Sequence, residues 1–423
     1  LGPGSLFSGC LNMERVVITG LGVISPLGNS PSELFDNLLE GNSGIDVIQS
    51  FDPSDLPTRI AGEVKGLDLD SFFSVKERKR LDRYSQFAIM AADQAIKQSG
   101  ILESDADPTR MGVFVGSGIG GIQTLEATHS SFLSRGPKGV SPFFISNLIS
   151  NMAGGNIAIR HGFKGTNFCM TSACATGTHC IGEAFREIAM GYQDAMIAGG
   201  AESSVTPLTI AGFSNMKAMS RQNASPQTAS SPYDLNRDGF VMGEGAGVLL
   251  LESLNHAQKR GAQILGELAG YGATCDAHHI TAVAPGGEGV VRAAQIALKQ
   301  SGISPDEVDY VNSHGTSTPI GDKFETEFLK TVFAEHSRSL WISSTKSMIG
   351  HLLGAAGGVE SVVCVMSLQK GQVHPTRNLQ EPDPDCDLDY IPEGPREKSL
   401  KVVLKNSMGF GGHNAVLLFR VFN

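Results

Sequence analysis

Phe168-Cys-Met-Thr-Ser-Ala-Cys-Ala-Thr-Gly177 leads from an apolar stretch through small residues into an Ala/Gly-rich helix. Ser344-Thr-Lys-Ser-Met-Ile-Gly350 makes the same passage in the second half of the chain, and laying one over the other sets Gly177 against Gly350. A second pair, residues 112–121 and 309–321, reads in each case as a strand followed by a glycine turn. Repeated passages of this kind predict a duplicated α/β fold. Its two similar halves of about 200 residues, each within the usual size of a domain, join near residues 259–261.

Outward from these segments the chain alternates strand-like and helix-like stretches. Residues 15–18, 111–115, 195–197, 247–251, 310–312, 341–343, 402–404 and 416–421 are apolar or β-branched and read as buried strands. Residues 84–99 and 290–301 have helical periodicity, and each run stops at a glycine, Gly100 or Gly302, suited to a helix C-terminus.

The 423 residues suffice for two or three domains and a large core, so stability needs neither disulfides nor a metal. Hydrophobic residues make up 41%, which excludes disorder, and no apolar stretch approaches the roughly 18 residues of a membrane span. A net charge of −10 speaks against a protein that wraps nucleic acid through its overall field. The seven cysteines form no C-x-x-C pairs, which points to a reducing compartment and mostly buried thiols rather than a zinc ribbon or a disulfide framework. Residues 1–12, which open Leu1-Gly-Pro-Gly-Ser5, read as an expression remnant, with Met13 the native start and no secretory signal after it.

Gly116-Ser-Gly-Ile-Gly-Gly121 satisfies G-x-G-x-x-G after a strand. A dinucleotide site also needs an acid about 20 residues on, where this chain has Arg135-Gly-Pro-Lys-Gly139. A tight turn between packed elements is therefore expected, and a nicotinamide-dependent oxidoreductase is only a remote alternative. Cys174 sits among small residues at a helix start. The helix dipole there favours a thiolate, and backbone N–H groups can hold an oxyanion. Cys169 and Cys180 are expected inside the flanking strand and helix, as core. His314 directly follows a strand, and His351 is expected in the first turn of a Gly/Ala helix. One thiol and two Gly-flanked imidazoles at strand ends suit thiol chemistry. Their spacing matches no metal pattern, so no metal is expected. Lys76-Glu-Arg-Lys-Arg80, followed by Arg83, is a basic stretch on an acidic protein. It fits docking of an acidic partner, with Lys138 and Lys217 as further members if the fold brings them near.

From Met13 to Arg420 the chain resembles the β-ketoacyl-acyl-carrier-protein synthases of the thiolase-like superfamily, in particular the elongating type II enzymes. The segments that carry the resemblance are those around Cys174 and four more: Asp234-Leu-Asn-Arg-Asp-Gly-Phe-Val-Met-Gly-Glu-Gly-Ala-Gly247, His314-Gly-Thr-Ser-Thr-Pro-Ile-Gly-Asp322, Lys346-Ser-Met-Ile-Gly-His351 and Gly409-Phe-Gly-Gly-His-Asn414. Ser172 and Ala175–Thr176 vary around the nucleophile, and His413 stands where many relatives have Thr. The resemblance implies a layered αβαβα fold with an N-terminal half, 13–260, that carries the nucleophile and a C-terminal half, 261–423, that carries both histidines.

It further implies decarboxylative condensation of acyl- and malonyl-carrier protein to a 3-oxoacyl chain two carbons longer, in fatty acid biosynthesis. Cys174 would accept the acyl group, and His314 and His351 would assist decarboxylation. Lys346, paired with Glu325, would hold the site electrostatically. Thr316 and Thr318 would contact the phosphopantetheine arm. Phe410 would gate the pocket and, with Cys174, form the oxyanion hole, while Ile119 would lie near the acyl pocket. Lys76, Lys79, Arg80, Lys138 and Lys217 would dock the acyl carrier protein. The enzyme would be a cytoplasmic homodimer, bacterial in type, without metal, redox cofactor, nucleic acid or membrane partner. A polyketide-type ketosynthase shares the Cys-His-His set and is the nearer alternative. A degradative thiolase fits two His motifs less well, and a subunit that only shapes a pocket would lack Cys174.

Overall fold

The computed structural model describes residues 13–422; the expected expression remnant, residues 1–12, and its Cys10 lie outside the described residues. The strands that matter here are β1 (Val16–Ile24), β2 (Met111–Gly116), β3 (Ala195–Glu202), β4 (Gly245–Ser253), β5 (Gly266–Cys275), β6 (Tyr310–Asn312), β7 (Trp341–Ser343), β8 (Val402–Gly409) and β9 (His413–Arg420). They form one nine-stranded sheet in the order β2-β3-β4-β1-β5-β9-β8-β6-β7. Reading outward from the centre, β1-β4-β3-β2 are joined antiparallel, antiparallel, parallel. The series β5-β9-β8-β6 repeats that sequence, and β7 extends it in parallel. A parallel bridge between Val113 and Asn167 takes the place of β7 beyond β2. The two series meet where Val16 and Ile18 pair with Leu268 and Gly266.

The helices are α1 (Arg83–Ser99), α2 (Ile122–Arg135), α3 (Thr176–Ala189), α4 (Glu288–Ser301), α5 (Gly321–Phe333) and α6 (Ala356–Lys370). Asp82 caps α1 by accepting the Tyr84 N–H, and Gly100 and Gly302 end α1 and α4 at φ 64° and 69°. Side chains alternate faces along each strand. Val248 and Leu250 of β4 pack with Phe87 and Ala91 of α1. Leu249 and Leu251 face the other way, into a core with Ile181 of α3 and Val359 and Val362 of α6. In the second half Leu404 and Leu418 join Val290 and Ala297 of α4, whereas Val403 and Leu417 return to the central core. The result is the αβαβα layering, with α3 and α6 as the shared middle layer.

Close approach of helix to strand also repeats. A Cβ on Gly22 would stand 1.8 Å from the Ala91 carbonyl oxygen of α1, and a Cβ on Gly272 would stand 1.9 Å from that of Ala293 in α4. Only glycine lets each outer helix lie this near its strand.

The repeat runs in a different frame from the one expected. A 3-10 turn, Ala173–Ala175, leads into α3, and its counterpart, Leu353–Ala355, leads into α6. Gly177 therefore corresponds to Gly357, not Gly350. Each is the second residue of its helix and is pressed against the other helix: a Cβ on Gly177 would lie 2.8 Å from Gly358 N, and one on Gly357 2.1 Å from Thr178 Oγ1. Gly350 instead ends the short helical turn Lys346–Ile349 at φ 75°. Strand β5 escaped the sequence pattern because glycines interrupt its apolar run. No helix among the described residues is long and apolar enough to cross a membrane.

Candidate active site

Cys174, His314 and His351 meet in one cavity of about 410 Å³, with Thr316, Thr318 and Phe410 also on its wall. Cys174 is the middle residue of the turn Ala173–Ala175, immediately before α3 rather than within its first turn. The turn is pinned by Ala175 N–H to Ser172 O at 3.1 Å and by Ser172 N–H to Thr176 Oγ1 at 2.9 Å. Burial pushes the Cys174 thiol up to about 12, against the downward pull of Lys346 and of the backbone N–H groups of Phe410 and Cys174 itself. The expected resting thiolate is thus overturned, because desolvation outweighs the helix end. The same two N–H groups face Sγ.

The histidine rings lie 5.4 Å apart between centroids and nearly perpendicular, at 89°. Burial first, and Lys346 next, hold both imidazoles well below their ordinary range, so both are neutral at physiological pH. Both Nδ1 atoms are buried without a partner among the described residues. His314 follows β6 on a loop fastened by Glu325, which accepts from His314 N and Gly315 N at 2.6 Å each, from Asn406 Nδ2 at 2.6 Å and from the Tyr233 hydroxyl at 2.9 Å. His351 lies beyond the turn Lys346–Ile349 and not in a helix. Its N–H donates to Val241 O at 2.7 Å, and its carbonyl accepts from Gly243 N at 2.9 Å.

Lys346 does not pair with Glu325. Its Nζ lies 2.5 Å from Glu360 Oε1, and Lys405 Nζ lies 2.9 Å from Glu360 Oε2. Glu325 is committed to the backbone of the His314 loop and has no oxygen to spare. Two buried lysines thus share one buried glutamate, and burial lowers the Lys346 pKa against the pull of Glu360.

Arg237, inside the quoted Asp234–Gly247 motif, supports the Thr316–Thr318 loop. It donates to Thr318 O at 3.1 Å and to Pro319 O at 2.7 Å, and pairs with Asp383 at 2.8 Å. Asp322 Oδ1 accepts from Thr316 N at 3.1 Å. Phe410 tips the hairpin between β8 and β9, where Gly411 and Gly412 have φ of 86° and 75°. That tip is held by Gly411 N–H to Ile280 O at 2.7 Å and by Asp276 N–H to Gly412 O at 2.8 Å. The support of this tip by residues 276–280 had no signal in the sequence.

Other expected residues fall elsewhere. Ile119 is 38% exposed and does not line the cavity. Lys217 lines it, and Lys76, Lys79, Arg80 and Lys138 are exposed outside it. Arg80 stacks over Phe143 at 4.8 Å, and Arg83 is committed to Glu244 at 2.8 Å. Cys180 is buried core as expected, but Cys169 is half-buried outside any strand, and Cys275 is exposed.

The glycine turn after β2 leaves no room for a pyrophosphate. A Cβ on Gly121 would lie 2.0 Å from Asn147 O and one on Gly120 2.6 Å from Leu148 O, and the Gly118 N–H is already bonded to Glu202 at 2.8 Å. The dinucleotide alternative is therefore excluded.

Residues 13–257 match the family model of the beta-ketoacyl synthase N-terminal domain, and residues 265–380 that of the C-terminal domain. The chain is 48% identical over 412 residues to a 3-oxoacyl-[acyl-carrier-protein] synthase 2 of Synechocystis, covering 97% of this chain and 99% of the relative. It is 48% identical over 409 residues to the enzyme of that name in Staphylococcus aureus, with 97% and 99% covered. Among solved structures, a beta-ketoacyl synthase from Burkholderia phymatum superposes with a TM-score of 0.90 at 34% identity, over 97% of this chain and 100% of that one. A ketosynthase structure described as a type II PKS acyl-carrier protein in complex with its ketosynthase bound to the hexaketide gives a TM-score of 0.89 at 35% identity, with 97% and 100% covered. Matches of this extent, in sequence and in fold, leave one assignment: the chain belongs to the β-ketoacyl synthase family.

Proposed function

We propose that the protein elongates acyl chains in fatty acid biosynthesis by decarboxylative condensation of acyl- and malonyl-carrier protein. The observation that carries the reading is one thiol, two neutral imidazoles and two backbone N–H groups converging on one cavity. Cys174 Sγ attacks the acyl thioester; a bond from Sγ to the acyl carbon forms, the bond to the carrier sulfur breaks, and the thiol proton leaves with the carrier thiol. The oxyanion of that step rests on the N–H groups of Cys174 and Phe410.

Malonyl thioester then enters, its bond to carbon dioxide breaks, and the electron pair becomes an enolate. A buried lone pair without a partner costs less than a buried N–H without one. The unpartnered Nδ1 atoms therefore favour tautomers with hydrogen on Nε2, and His314 and His351 each offer an N–H to the enolate oxygen. The enolate carbon attacks the acyl group and expels Sγ as a thiolate, which Lys346 of the Lys346–Glu360–Lys405 cluster stabilises. The chemistry calls on no metal or redox group.

Thr316 and Thr318, on the cavity wall, would receive the phosphopantetheine arm, Phe410 would gate it, and Lys217 at the cavity with Lys76, Lys79, Arg80 and Lys138 outside it would steer the acidic carrier protein. The halves divide at residues 260 and 261, in the connection before β5. The outer side of Asn167, beyond β2, which no strand among the described residues pairs, and the exposed Phe132, Leu133, Ile145 and Phe168 fit a second copy of the chain, and the working form would be a cytoplasmic homodimer. Ile119 would reach the acyl pocket once that face is covered.

Mass spectrometry of products from malonyl-carrier protein and acyl primers of graded length tests the reading. A single two-carbon extension is expected, and none with Cys174→Ala. Repeated unreduced extension would favour the polyketide-type reading, and full activity in Cys174→Ala would sink both.

A further inference from the structure

Glu202 ends β3 with its side chain fully buried, and five donors converge on its carboxylate. Oε2 accepts from Gly118 N at 2.8 Å and from Gly354 N at 3.0 Å. Oε1 accepts from Ser117 Oγ at 2.8 Å, Ser204 Oγ at 3.1 Å and Ile119 N at 3.3 Å. The first turn, Ser117–Gly118–Ile119, follows β2 in one half, and Gly354 belongs to the turn before α6 in the other. Neither glycine tolerates a side chain: a Cβ on Gly118 would stand 2.8 Å from Glu202 Oε2, and one on Gly354 would stand 2.7 Å from that oxygen and 2.3 Å from Gly118 N.

Both turns border the nucleophile. The Cβ position of Gly118 is 3.5 Å from Ala173 O, and Leu353, beside Gly354, lines the cavity. Three of the five donors are backbone N–H groups that cannot turn away, so a protonated carboxyl would set its own hydrogen among them. Burial raises the Glu202 carboxyl above its ordinary range, and the donors pull against that rise, because the ionised form satisfies them all. We infer that Glu202 is a positioning residue for the condensation, one that ties the turns of the two halves together around Cys174 and sets a fixed negative charge against that residue's thiolate. The inference rests on Cys174 as the nucleophile. Glu202 and Lys346 act on the thiol in opposite senses, the first raising its pKa and the second lowering it. The resting sulfur keeps its proton, and the thiolate exists chiefly within the turnover. Burial raises the thiol's pKa on its own account, and Glu202 adds to that rise.

Iodoacetamide alkylation of Cys174, mapped by peptide mass spectrometry across pH, reads this charge without requiring condensation. Glu202→Gln removes the charge at nearly constant volume, and Glu202→Asp keeps it on a shorter arm. Gln is expected to lower the alkylation midpoint and to speed the reaction at neutral pH by about five- to tenfold, with the Asp midpoint unmoved. A midpoint that falls in both variants would mean loosened packing, and one that moves in neither would mean no field; either result overturns the inference. If thermal melting shows that the Gln variant does not fold, Ser204→Ala removes one donor without touching either turn. The midpoint should then rise, and a constant or lower midpoint overturns the inference. Failure of the nucleophile itself would show separately, as condensation that survives Cys174→Ala.

Discussion

Ala173 and Leu353 hold one backbone conformation, φ 50° and 48°, each at the first residue of the turn that leads into a central helix. The residue that follows is Cys174 in one half and Gly354 in the other. A duplicated elbow therefore presents a thiol on one side and a close-packed backbone on the other. A left-handed conformation costs an L-residue on the order of 1–2 kcal/mol, and a β-branched side chain fits it worst. Ala173→Val should lower both the Tm and the rate of Cys174 acylation, the latter by about tenfold or more. Acylation at the parent rate would show that the elbow does not position the sulfur.

The two imidazoles should separate the half-reactions. His314→Ala and His351→Ala are each expected to retain acylation of Cys174 while losing decarboxylation by about a hundredfold or more, the scale of one lost transition-state donor. Trapped acyl-enzyme and released labelled carbon dioxide measure the two steps. Loss of acylation with decarboxylation intact would reverse the assigned roles.

Glu360→Gln leaves Lys346 and Lys405 buried side by side without a full counter-charge. Removing one member of a buried ion pair typically costs about 3–5 kcal/mol, so a large drop in Tm is expected. Glu325→Gln should instead act through the His314 loop and spare the lysines. Equal effects of both substitutions on the alkylation of Cys174 would contradict the pairing of Lys346 with Glu360.

Burial lowers the pKa of His179 and His374 to about 4, and holds His314 and His351 well below 6.5. As pH falls, the unfolded chain takes up these protons first. Stability is therefore full above about pH 6.5 and lost progressively between there and about pH 4. Asp322, raised by burial to about 7, works in the opposite sense, as do Asp82 and Glu202, which burial also raises, so three carboxyls stand against four imidazoles. A Tm flat between pH 7 and 4.5, in a range where unperturbed carboxylates are still largely ionised, would refute the assignment of these rings as neutral.

Lys76→Glu with Lys79→Glu should raise the KM for acyl-carrier protein several-fold at low ionic strength and little at high salt, since exposed charges are screened. A free pantetheine thioester should react as before. Equal losses on both substrates would point to damaged folding rather than docking.

The side chains that meet in the cavity were legible because each interrupts an apolar segment with small residues: Cys174 among Ser, Ala and Thr, His314 before Gly315, His351 after Gly350. The partner of Lys346 was not. Glu360 lies in the apolar run Val359-Glu-Ser-Val-Val-Cys364, where its only mark is a charge out of place, and the more conspicuous Glu325 drew the pairing. Strands β6 and β7 match their expected limits. Strand β1 runs on to Ile24 because Gly20 and Gly22, which break its apolar pattern, are where α1 seats. The frame of the repeat was misread for a related reason: Gly350 and Gly357 both sit near the start of the same small-residue stretch, and only packing against α3 tells them apart. The thiol's protonation depended on burial, which a local sequence window does not contain.

The joining of β1 to both β4 and β5 has a consequence for biosynthesis. Val16 pairs with Ser253 on one side and with Leu268 on the other, so β1 leaves the ribosome well ahead of both strands that seat it. At translation speeds of about 5–20 residues per second, an entirely buried nine-residue strand waits on the order of ten seconds or more for its neighbours. During that interval Val-Val-Ile-Thr-Gly-Leu-Gly-Val-Ile24 is an uncovered template for other chains, and the first half of the protein is completed only as the ribosome enters the second.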